Sequence, residues 1–161
     1  MPAPADDDRA LVAELTRDVL AAALPEELGV FEADADAFLD GRSPAGDRDE
    51  ALGFGAEAAV LLTPYVVAAV GAAVRYVAGF LLETAKAEAR PVVSSWLRRV
   101  LRLRTPVPPP VDEPAPPALT PAVLAEVRAI TRSVCVQMGL DDDDAGLVSD
   151  AVTGRLALAG A

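Results

Sequence analysis

One long apolar stretch with a single charge constrains this chain more than any other feature. Residues 58–82 are mainly alanine, valine and leucine, and Arg75 is the only charged residue among them. As a helix, this length would cross the hydrocarbon core of a bilayer. Its large apolar side chains favour insertion by about 4–5 kcal/mol, but one central arginine costs about 2.5–3.5 kcal/mol. Proline, glycine and tyrosine add to that cost, so hydropathy leaves a membrane helix and a buried core helix equally open.

The apolar stretch has two unlike faces when it is drawn as a helix. We expect one helix over residues 51–90, bent at Pro64. Small or polar residues follow one of its faces, namely Ala68, Gly71, Ala72, Arg75 and Gly79. Bulkier apolar residues follow the opposite face, namely Leu62, Val66, Val70, Ala73, Val77 and Phe80. In a soluble bundle the small face would admit a neighbouring helix, and Arg75 would pair with an acid from the N-terminal region. In a membrane the same face would pack against copies of itself, with Arg75 turned away from lipid.

A basic amphipathic segment follows the apolar stretch. Its proposed basic surface consists of Trp96, Arg98, Arg99, Arg102 and Arg104. A basic helix carrying a tryptophan is typical of a membrane-surface or partner-binding helix. The alternative is a core helix whose arginines lie in solvent. If the stretch spans a membrane, this basic flank predicts a cytoplasmic C-terminal side.

The remaining patterns predict an all-α fold with a long central Ala/Val-rich helix, flanking amphipathic helices, a Pro-rich linker and a C-terminal helix pair. No segment alternates apolar and polar residues as a strand does. Residues 105–121 contain eight prolines and predict an extended linker. We therefore divide the chain into an acidic helical region (1–50), an apolar helix with the basic helix (51–104), the linker (105–120) and a helical hairpin (121–161).

Proline, glycine and helix-capping residues predict where the helices begin and end. Pro25 should end the first helix, and Gly41 the weaker segment after it. Thr120 and Pro121 should open the first helix of the hairpin, which Gly139 closes. The acids at positions 141–144 should begin the last helix.

Charge is distributed as acidic, basic and acidic along the chain. Residues 1–57 carry 15 acids and 4 bases, residues 58–104 carry 2 and 7, and residues 105–161 carry 8 and 3. This layout argues against a nucleic-acid partner and leaves an anionic membrane surface as a candidate for the basic middle. The N-terminal sequence lacks the basic and apolar regions of a signal peptide, so we expect a protein that is not secreted.

Residue types exclude several chemistries. The chain has no histidine, so histidine-dependent triads and zinc sites are absent. Cys135 lies between valines and is expected in a core. Residues 53–58 match G-x-G-x-x-A but follow no strand, which argues against a dinucleotide site. Residues 141–152 lack the terminal glutamate of an EF-hand loop. We predict no enzymatic activity, no cofactor and no metal.

These observations leave two functional hypotheses. The leading one is a non-catalytic, membrane-associated helical protein that self-associates and binds a protein partner through its tethered C-terminal hairpin. The alternative is a soluble helical adaptor or accessory subunit whose apolar segment forms its own core or a protein interface. The expected location is the inner (cytoplasmic) membrane or the cytoplasm.

Overall fold

The all-α prediction is confirmed by the computed structural model, which describes residues 6–42, 61–84, 93–101 and 116–160. Within these ranges there are seven helices and no strand. The helices are α1 (Asp6–Ala23), α2 (Pro25–Ala33), α3 (Ala35–Leu39), α4 (Thr63–Thr84), α5 (Val93–Val100), α6 (Pro121–Gln137) and α7 (Asp142–Gly160).

Several helices end where the sequence predicts. Pro25 is the first residue of α2, so α1 stops at Ala23. Thr120 caps α6, because its Oγ1 accepts a hydrogen bond of 3.3 Å from the backbone N–H of Val123. Gly139 follows α6 with a φ of 93°, a left-handed conformation that glycine adopts without steric cost.

The central helix begins later than expected. Leu61 and Leu62 are not helical, and Pro64 lies in the first turn of α4, where its missing N–H costs nothing. The prediction of a bend at Pro64 within a longer helix is therefore wrong, because Pro64 lies in the first turn of the helix and does not interrupt it. Residues 51–60 and 85–90, the outer parts of the predicted helix, lie outside the described residues.

Helix α4 is the centre of the bundle. It packs most extensively against α6 and α1, less so against α5 and α7, and more briefly against α2 and α3. The bulky face predicted from the sequence points inward, since Val66, Val70, Ala73 and Val77 are fully buried. Buried side chains from all seven helices join them in one hydrophobic cluster.

The C-terminal hairpin belongs to this bundle. Its two helices pack along each other, and both also contact α4. Cys135 of α6 lies against α4, with its Sγ 4.0 Å from the carbonyl oxygen of Tyr65. In the predicted linker, residues 116–120 form neither helix nor strand, and residues 102–115 lie outside the described ranges.

Candidate interaction surfaces

The small-residue face of α4 points away from the core. Arg75 is exposed, Ala68, Gly71 and Gly79 are half-buried, and Ala72 is buried. A Cβ added to Gly79 would meet no atom within 4 Å, and one added to Gly71 would meet only Arg75 Nη1 at 4.0 Å. The predicted face therefore exists as one side of a helix, and no described helix packs closely onto its glycines.

Arg75 reaches solvent. It forms no ion pair with any residue in the described ranges, whereas most other described arginines do. We expected Arg75 to pair with an N-terminal acid, but none of the acids in residues 6–42 forms that ion pair. The remaining acids of that region, between residues 47 and 57, lie outside the described part of the chain.

The basic amphipathic segment divides between core and surface. Trp96 is only 5% exposed, and its apolar neighbours Leu97, Val100 and Leu101 are also buried. Arg98 and Arg99 are half-buried, and α5 contacts both α4 and α7. In this packing the apolar side of α5 is occupied by the bundle itself. Arg102 and Arg104 lie outside the described residues.

Two shallow clefts mark the described surface. One, of about 540 Å³, runs along the outer face of α6 and is lined by alanines, Val136, two arginines and short polar side chains. The other, of about 470 Å³, lies between α1 and the α2–α3 pair, with alanines and Leu39 among its lining residues and charged groups beside them. Neither brings together a nucleophile and a base.

Most of the charged residues around the second cleft form ion pairs with one another. Arg9 donates to Asp36 Oδ1 at 2.9 Å and also pairs with Asp40. The bond from Arg9 to Asp40, with a further one from Arg42, holds the pKa of Asp40 below its usual value. Arg17 donates to Glu32 Oε1 at 2.5 Å and stacks on the ring of Phe31, with Cζ 5.8 Å from its centroid. The arginines that line this cleft are therefore already paired with acids of α2 and α3 or the residue after them.

Ion pairs also join helices of the bundle. Arg155 of α7 donates to Asp18 Oδ2 of α1 at 2.7 Å, with side chains 19% and 17% exposed. Arg128 of α6 pairs with Asp150 of α7, and this pairing lowers the pKa of Asp150. Both pairs fix one helix against another.

The candidate nucleophile Cys135 and the candidate calcium ligand Asp141 both have positions that fit a structural role. Cys135 is buried, and the burial raises the pKa of its thiol to about 11, which disfavours the nucleophilic thiolate. Asp141 Oδ1 accepts a hydrogen bond of 2.9 Å from the backbone N–H of Asp144 and so caps α7. The described residues contain no cluster of three or more potential metal ligands.

Sequence reasoning missed Glu27. Its carboxylate accepts hydrogen bonds from the backbone N–H of Leu62 at 3.0 Å, the N–H of Thr63 at 2.6 Å and the Thr63 hydroxyl at 2.7 Å. A side chain of α2 therefore caps α4, more than thirty residues along the chain. Nothing in the local pattern around Glu27 distinguishes it from the neighbouring Glu26.

Within the described ranges, α4 is the one helix long and apolar enough to cross a membrane, and half of its most apolar window is buried in the bundle. The core helix of a soluble protein has the same properties. Comparison with known proteins adds no relative to this description: no family model, no curated protein and no solved structure matches the chain.

Proposed function

We propose that this protein is a non-catalytic helical adaptor or accessory subunit, which acts by binding another protein and uses α4 as the core of its own bundle. One observation carries the proposal. The bulky face of α4 is covered by other helices of the same chain except at Phe80, which is half-buried, and Arg75 on the opposite face is exposed.

The energies of the two environments support the bundle. Full burial of a valine or leucine side chain contributes about 1.5–3 kcal/mol, and α4 buries Val66, Val70, Val77 and Leu81 completely. In a bilayer, the five valines, two leucines and one phenylalanine of α4 favour insertion by about 2–5 kcal/mol, and Arg75 alone opposes it by about 2.5–3.5 kcal/mol. Because insertion into lipid stabilises α4 little and burial against neighbouring helices stabilises it much, these free energies favour the bundle.

The surroundings of the reactive groups support a non-catalytic role. Several of the described acids form ion pairs or cap helices, and the thiol of Cys135 is buried and protonated. The clefts are lined by alanine side chains together with charged and polar groups. Such a surface fits contact with another protein better than the polarisation of a substrate.

The first test asks where the protein resides. Cells that express the full chain are lysed without detergent, and the membranes are washed with alkaline carbonate. We expect the protein in the supernatant before the wash. Retention in the washed membrane pellet would contradict the proposal.

The second test asks whether the protein works in a complex. Extract from cells with native expression is separated by size-exclusion chromatography, and the chain is detected with an antibody beside the purified chain as a size standard. We expect the native protein to elute earlier than the purified monomer. Co-elution with the monomer standard at every salt concentration would contradict an adaptor role.

A membrane-associated, self-associating protein is the second candidate, favoured by the length of α4 and by the mean hydropathy of 1.8 of its most apolar 18-residue window. In that case the bundle must open so that α4 contacts lipid. Flotation of the purified chain with vesicles containing phosphatidylglycerol would support this candidate, and recovery of all the protein below the vesicle layer would contradict it.

A further inference from the structure

We draw no further inference here: the strongest candidate, the outward face of α6 around Ala125, Ala129 and Val136, is an unpartnered apolar helix face, and nothing in the structure shows what covers it.

Discussion

The hydroxyl of Thr16 is buried in the middle of α1, and no described residue forms a hydrogen bond with it. An unsatisfied buried donor costs about 1–3 kcal/mol, and valine has nearly the same shape without the polar atom. We therefore expect Thr16→Val to raise the free energy of unfolding by about 1 kcal/mol. Urea denaturation followed by circular dichroism measures this change.

Thr63→Val is the matched control for this substitution. Thr63 is equally buried, but its hydroxyl donates to Glu27 at 2.7 Å. Removing that donor should lower the free energy of unfolding by about 1–2 kcal/mol, because Glu27 loses a partner. A loss of stability in Thr16→Val of similar size would mean that the Thr16 hydroxyl is satisfied in solution.

Cys135 provides a reporter of bundle opening. It is the only cysteine of the chain, it is buried, and its thiol pKa of about 11 leaves little thiolate at pH 8. We expect a thiol-specific chromogenic disulfide to modify the native protein at least ~100-fold more slowly than the urea-unfolded chain. Equal rates would show that α6 is not held against α4 in solution.

At the scale of the element, the cap of α4 depends on one glutamate of α2. Charge-assisted hydrogen bonds at a helix N-terminus are stronger than neutral ones. Glu27→Ala should therefore lower the free energy of unfolding by about 2–3 kcal/mol, because it leaves the N–H groups of Leu62 and Thr63 without their acceptor.

Glu26→Ala is the natural comparison, because Glu26 also lies in the first turn of α2 and is exposed. That substitution should change stability by no more than about 0.5 kcal/mol. Chemical denaturation of both variants under one buffer condition measures the difference. Equal effects of the two substitutions would refute a specific cap by Glu27.

The two faces of α4 should differ in how they tolerate a positive charge. Arg75→Leu removes an exposed charge without an ion pair in the described structure, so the bundle should keep its stability within about 0.5 kcal/mol. Val70→Arg places the same charge in the core, where an unpaired charge costs several kcal/mol, and it should abolish the cooperative fold.

Circular dichroism and fractionation of the two α4 variants test both functional hypotheses. A bundle predicts that Arg75→Leu stays soluble and folded, whereas Val70→Arg unfolds or aggregates. If α4 lies in a membrane, Arg75→Leu should instead bind the membrane more firmly. Normal folding of Val70→Arg would contradict the position of α4 in the core.

The elements also show how far local sequence determines this fold. The two faces of α4 and the cap of α6 by Thr120 follow from the sequence, because helical periodicity and capping act within a few residues. The acceptor for α4 could not be predicted, since Glu27 is distant in the chain and many acids are equally suitable by type. Local sequence also could not predict whether the small-residue face points inward or outward, because that depends on which distant helices cover the opposite face.

At the scale of the whole molecule, the first and last helices of the described chain pack against each other. Helix α1 contacts α7, and Asp18 and Arg155 form an ion pair between them. The division at the Pro-rich tract was proposed from composition, which carries no information on whether α6 returns to α4. The contacts between α4 and α6 join the hairpin to the same hydrophobic core as α1.

A shared core predicts a single unfolding transition. Trp96, the only tryptophan, reports on α5, whereas far-ultraviolet circular dichroism reports on all helices. The two midpoints should coincide. Val127→Ala in α6 should lower the stability seen by both probes by about 2 kcal/mol, because it removes two buried methyl groups. Two separate transitions, with only one moved by this substitution, would indicate that the hairpin folds independently.

The central position of α4 has a consequence for how the chain is made. Helix α4 leaves the ribosome before α6 and α7, two of the helices that cover its apolar face. At about 5–20 residues per second, the roughly 50 residues between the end of α4 and the end of α6 take about 3–10 s to synthesise. During those seconds the nascent chain presents a long apolar helix that resembles a signal for membrane targeting. We therefore expect the location of the protein to depend on whether the bundle folds before membrane-targeting factors bind the emerging helix.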